Sequence, residues 1–170
     1  MPGGFLYLTT GLALSAETEG ELVAALAHET AHVMARHFSR IERKRRMGLG
    51  LMLAGGPAGY LVAQFLGLIL MRKQVRNAEF EADRLCFQYQ YMSGHDPGEF
   101  TRLLRNIAHR NIESSSFVSR LFDTHPSIAS RIRRLDNVGE GLPPGHAKDR
   151  PDDGAFRDFQ ALLLSHYTSP

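Results

Sequence analysis

His28 and His32 stand four residues apart in the run H-E-T-A-H, with Glu29 directly after the first histidine. On a helix this spacing puts both imidazoles on one face, with Cβ atoms roughly 5–6 Å apart. Two ring nitrogens can then reach one Zn²⁺ at about 2.0–2.1 Å each. Glu29 is turned about 100° from His28, so it does not join the chelate easily but can reach a water held there. Zinc lowers the pKa of such a water to about 7, and a neighbouring carboxylate can take its proton at neutral pH. That is the mechanical content of the H-E-x-x-H pattern, which on its own carries a false-positive risk. The competing reading has two core histidines satisfied by carbonyls and Glu29 paired with an arginine. The surroundings oppose it. Glu29 is the one formally charged residue in residues 22–35. A helix apolar on every side is expected to be buried, and a lone carboxylate there needs a reason.

A catalytic zinc takes three protein ligands and leaves a fourth position open. The metzincin spacing fails, because Ala35 and Phe38 stand where that pattern needs glycine and histidine. Glu42 is ten residues past His32 on the expected helix, about 15 Å away, and cannot reach. The next acidic group is N-A-E-F-E-A-D, residues 77–83. Glu79 and Asp83 share a helical face, while Glu81 lies about 200° from Glu79 and points elsewhere. Glu79 is therefore the expected third ligand. Asp83 is the expected acceptor of a ligating histidine's other N–H. The bland alternative is a solvated acidic turn pairing with Arg76 and Arg84.

Several elements must position these residues. Residues 5–10, FLYLTT, read as a short strand. Thr18 and Glu21 have capping-box spacing, and a long helix is expected from there to about Arg46, ended by Gly48 and Gly50. A second helix is expected over 72–91, a third from Asp96-Pro97 to about Arg110, a short one after His125-Pro126 to about Leu135, and a last one over 154–167. The last can pack Phe156, Phe159, Leu162 and Leu163 on the body. Residues 137–154 read as a loop. Residues 48–71 carry no charge over 24 positions but are interrupted by Gly55-Gly56-Pro57. Neither piece can cross about 30 Å of hydrocarbon as a helix. A hairpin-like flap over the cleft, or against a membrane surface, is expected instead.

The 170 residues suit one domain, with 1–136 as a catalytic unit and 137–170 as a loop and helix packed on it. Cys86 is the lone cysteine, which excludes an intrachain disulfide and a cysteine-rich zinc site. A net charge of +2 demands no nucleic-acid partner. The basic run Arg40, Arg43, Lys44, Arg45 and Arg46 reads as a solvated helix end. A membrane-surface contact through residues 40–71 is the sharper reading. No signal peptide opens the chain.

H-E-T-A-H, E-x-x-x-D, and His125-Pro126 followed by Arg131 occur in this order after the opening PGGFLYLTTGL. Over residues 2–135 the chain resembles a gluzincin of metallopeptidase family forty-eight. That family includes CAAX prenyl proteases, HtpX-type heat-shock proteases, the mitochondrial Oma-type protease and BepA-like periplasmic proteases. The resemblance implies an α+β, mainly helical, zincin-like (minigluzincin) fold with a small sheet edge beside the active helix. It implies one Zn²⁺ per chain on His28, His32 and Glu79, with Glu29 catalytic and Asp83 supporting the ligands. His125 and Arg131 would steady the tetrahedral oxyanion. Phe5, Leu6, Tyr7, Leu8 and Thr9 would receive the substrate as an added strand. The implied substrate is an unfolded or misassembled polypeptide, in the periplasm or cell envelope, as in the soluble BepA-like branch. Ala31 stands where the family often has glycine, and His95 where tyrosine is usual, so His95 reads as a loop residue. Two other classes compete: a catalytically silent zinc-binding chaperone or adaptor of the same fold, and a basic helical nucleic-acid binder. Intact Glu29, His125 and Arg131 oppose the first, and the low net charge the second.

Overall fold

The computed structural model describes residues 4–113, 127–139 and 153–168. Seven helices lie in these segments: α1 (Thr10–Ser15), α2 (Glu19–Met34), α3 (His37–Ala54), α4 (Gly56–Ser93), α5 (Gly98–Glu113), α6 (Ile128–Gly139) and α7 (Gly154–Thr168). The protein is mainly helical, and no β-strand occurs among the described residues. The strand expected over 5–10 is not formed. Thr10 already belongs to α1, and Phe5, Leu6, Tyr7 and Leu8 are exposed. A strand needs a neighbour to take its N–H and C=O groups, and no described segment offers one.

The core is shared by α2, α4, α5 and α6. Ala24, Ala25, Cys86, Phe87, Phe100, Leu103, Leu104, Ile107 and Leu135 form one buried cluster. Small residues set the closest approach. Ala24 and Ala31 on α2 and Ala82 on α4 are wholly buried, and the Cys86 thiol sits 3.3 Å from the Ala24 carbonyl. Short side chains let two helix backbones come together, so whatever lies between them on the same faces must meet. On α2 that residue is His28; on α4 it is Glu79 with Asp83. Among the described residues α2 is not buried all round: Glu29 and Met34 are exposed, and Leu22, Val23 and Leu26 are half-buried.

The N-cap of α2 is Thr18, whose hydroxyl accepts from Glu21 N at 3.1 Å. The reciprocal half of the box is displaced by one residue, since Glu21 accepts from Glu17 N at 2.7 Å. The single long helix expected to Arg46 is instead two. Arg36 adopts a left-handed φ of 53° between α2 and α3, a conformation that L-residues rarely take. The chain turns there and α3 sets off in a new direction. It then runs on through Gly48 and Gly50 to Ala54, because packing along α4 outweighs the modest helix cost of glycine. The basic run therefore lies within α3 and not at its end. Glu42 pairs with Arg45 and Arg46 there, and these two guanidiniums hold its carboxyl down to about 2. Gly56, with a positive φ of 63°, turns the chain into the 38-residue α4. Residues 48–71 thus form the far part of a helical hairpin. In α7, Phe156 is buried, whereas Phe159 and Leu162 are exposed. That helix is held to α1 by Gln160, which donates to the Ala13 and Ala16 carbonyls at 2.9 Å each.

Candidate metal centre and active site

His28 Nε2 and His32 Nε2 are 3.1 Å apart. Glu79 Oε2 is 3.5 Å from the first and Glu79 Oε1 3.4 Å from the second. Two imidazole nitrogens aimed at each other at this distance repel through their lone pairs unless a proton or a cation lies between them. A tetrahedral metal with bonds of about 2.0–2.1 Å places its donors about 3.3–3.4 Å apart. Each ring nitrogen lies near that spacing from one oxygen of Glu79, one donor atom from each of the three residues falls within 4.8 Å of the others, and the chemistry of two imidazoles and a carboxylate suits zinc. The residues present therefore fit the metal. Glu79 and His28 are buried, while His32 is half-buried and borders an open cleft of about 850 Å³. Glu29 and Glu79 line the same cleft, with Val33, His37 and Arg40.

Each histidine is supported from behind. His28 Nδ1 lies 3.3 Å from Asp83 Oδ1. Arg131 forks onto Asp83, with Nη2 donating at 2.6 Å to one oxygen and Nε at 2.9 Å to the other. Its Nη1 is 3.5 Å from Glu79 Oε2, and the whole side chain is only 1% exposed. Phe100 of α5 supplies the floor. His28 stacks on it at 5.0 Å between ring centroids, and the guanidinium of Arg131 lies 5.6 Å from the same ring. Burial alone would raise the Asp83 carboxyl. The hydrogen bonds from His28 and Arg131 outweigh it and hold Asp83 below the usual aspartate range. Burial alone would lower the His28 ring. The bonds to Asp83 and Glu79 reverse that and raise it.

Glu81 points away from the donor triangle, toward Arg40 at 3.0 Å and His37. Residues 5–9 start from Gly4, which lines the cleft and lies against Val33. His125 lies outside the described residues. His95 is half-buried in the left-handed turn after α4, donating its backbone N–H to the Gln90 carbonyl at 2.9 Å. Sequence reasoning missed Phe100 and His37. Phe100 carries no pattern that sets it apart from any core aromatic. His37 is five residues past His32, which on a continuous helix is about 140° round the axis. Only the break at Arg36 brings it back.

A helix-borne H-E-x-x-H pair completed by a carboxylate from a second helix, with a glutamate on the adjoining cleft, is a metallopeptidase arrangement. Comparison with known proteins agrees. A family model, Peptidase family M48, matches residues 1–138. The chain is 31% identical over 180 residues to the beta-barrel assembly-enhancing protease of Yersinia pestis, covering 94% of this chain and 35% of that protein. It is 29% identical over 169 residues to the mitochondrial metalloendopeptidase OMA1 of Schizosaccharomyces pombe, covering 97% of this chain and 49% of that protein. It is 26% identical over 184 residues to the beta-barrel assembly-enhancing protease of Escherichia coli K12, covering 98% and 36%. The chain spans between about a third and a half of the length of these relatives. This chain belongs to peptidase family M48.

Proposed function

We propose that the chain is a zinc-dependent endopeptidase with His28, His32 and Glu79 as the metal ligands and Glu29 as the general base. The observation that carries this reading is the donor triangle at the edge of a cleft that Glu29 also lines. When bound, zinc supplies Lewis acidity, which acidifies water and polarises the scissile carbonyl. Glu29 takes the proton from the attacking water and passes it to the leaving amine. Asp83 and Arg131 fix the His28 ring. The permanent charge of Arg131 beside Glu79, together with His125, favours the oxyanion that forms on the carbonyl.

The substrate is a polypeptide. Residues 5–9 begin at the cleft rim; the Thr9 carbonyl already accepts from Leu12 and Ala13, whereas residues 5–8 make no backbone ladder with described residues and can offer their peptide groups to an extended substrate. The bacterial relatives are named for enhancing beta-barrel assembly, which supports a protein in assembly as the client, and a periplasmic or cell-envelope location is what the family resemblance implies. A membrane-surface contact through residues 40–71 is supported by exposed Met47, Leu49, Tyr60, Leu61, Leu66, Ile69 and Leu70, flanked by Arg43 and Lys44 on α3 and Arg72 and Lys73 on α4. No helix among the described residues is long and apolar enough to cross a membrane.

Glu29→Gln tests the mechanism, because it keeps the shape and removes the base. Zinc content should stay at one per chain while casein cleavage falls by several orders of magnitude. Unchanged cleavage by that variant would end the assignment.

A further inference from the structure

The two histidine ligands are backed differently. Behind His28 stands a carboxylate, Asp83. Behind His32 stands another histidine: His37 Nδ1 is 3.0 Å from His32 Nδ1, and the two rings meet edge to face at 4.9 Å. His37 is 3% exposed, in a region where its neighbours Arg36 and Phe38 face solvent. Its other nitrogen, Nε2, lies 3.3 Å from Glu81 Oε2. Glu81 in turn is held by Arg40, whose Nη1 is 3.0 and 3.2 Å from its two oxygens.

We infer that His37 is the positioning residue for His32, accepting its Nδ1–H and so fixing the ring that presents Nε2 to the metal. The reasoning rests on the metallopeptidase reading above and on the geometry of one chain of groups. A histidine that offers Nε2 to a metal carries its proton on Nδ1 and needs an acceptor there. His37 supplies that acceptor only as the tautomer protonated on Nε2. Glu81 Oε2, 3.3 Å from Nε2, favours this tautomer by its proximity, and Arg40 holds Glu81 in place. The local fold is built for the contact. On an unbroken helix His37 would point about 140° away from His32. The left-handed Arg36 swings it back, in a backbone conformation that L-residues adopt only at an energetic cost. Backbone strain beside a candidate ligand calls for a compensating role, and the His32–His37 contact is that role.

The test uses metal affinity, which needs no turnover. Zinc binding to the metal-free full chain is measured by competition with a chromophoric chelator, together with the visible spectrum of the cobalt(II) form. His37→Phe keeps a flat ring and removes the acceptor, so affinity should fall about 10–100-fold. His37→Asn places an amide oxygen near the Nδ1 position, so it should recover most of the affinity and a cobalt spectrum like that of the unaltered chain. Glu81→Gln, at the exposed end, leaves the core untouched and should weaken zinc less than His37→Phe does. If His37 merely fills space, the order reverses: phenylalanine is harmless and the smaller asparagine is the damaging change. That order, or zinc binding unchanged in both His37→Phe and Glu81→Gln, overturns the inference while leaving the metallopeptidase reading intact. Failure of the unaltered chain to bind zinc at all overturns both.

Discussion

Replacing Arg131 by methionine isolates the electrostatics behind the metal centre. The aliphatic stem is largely kept, the guanidinium 5.6 Å from the Phe100 ring is removed, and Asp83, 4% exposed, loses its forked partner. Breaking a buried pair on one side costs about 3–5 kcal/mol. An upper limit follows from the carboxyl itself, which can escape by taking a proton. From its ordinary value of 3.8, doing so at pH 7 costs about 1.4 kcal/mol for each of roughly three pH units, or about 4 kcal/mol. The loss should therefore be about 3–4 kcal/mol at pH 7, a large part of the roughly 5–15 kcal/mol that holds a domain together. Its pH dependence is the signature. In the unaltered chain Asp83 is depressed, so its contribution is present above the unfolded value and is lost as pH falls through the folded one. In the variant Asp83 is raised, so its penalty is absent at low pH and grows as pH rises above the unfolded value. The stability gap should consequently shrink by up to about 3 kcal/mol between pH 7 and pH 5, the variant's penalty falling by about 1.4 kcal/mol per pH unit. Urea unfolding of the metal-free chain at both pH values measures it. Adding Asp83→Asn to the variant should recover much of the pH 7 loss. A loss under about 1 kcal/mol at pH 7, or one that ignores both pH and the second substitution, would refute the assignment of a buried ion pair behind His28.

Glu79→Ala should abolish stoichiometric zinc binding, whereas Glu81→Ala should leave one zinc per chain with weakened affinity; metal analysis after dialysis shows whether the two carboxylates have been interchanged. Burial pushes the Cys86 thiol far above its ordinary value, so it should resist a thiol reagent in the native state and react fully in denaturant; prompt native labelling would contradict its place in the core. Replacing residues 50–68 by a short Gly/Ser linker should leave a folded, zinc-loaded protein with faster cleavage of unfolded substrate and weaker binding to anionic vesicles. Unfolding of that variant would make the hairpin part of the core.

What the sequence by itself determined is the chemistry that local spacing encodes. H-E-x-x-H and E-x-x-x-D each put their residues on one face of a helix whatever the rest of the chain does, so His28 with His32, and Glu79 with Asp83, could be paired in advance. The helix starts at Thr18 and Asp96-Pro97 were legible for the same reason, because each acts within a few residues. Only the tertiary structure decided how separate segments meet. The closeness of α2 and α4 depends on alanines that look like ordinary helix formers until they face each other. Arg36 carries no mark of a helix break, since most residues that turn a chain through a left-handed φ are glycine or asparagine. The strand expected over 5–10 has the right local propensity but no described partner, and β-pairing is a property of two segments. Arg131 was legible as a positive group, but its burial against Asp83 arises from the packing of α6 on α4 and α5. His37 was invisible for the deepest reason. Its contact with His32 exists because the backbone leaves the helix between them, and a periodicity argument assumes that it does not.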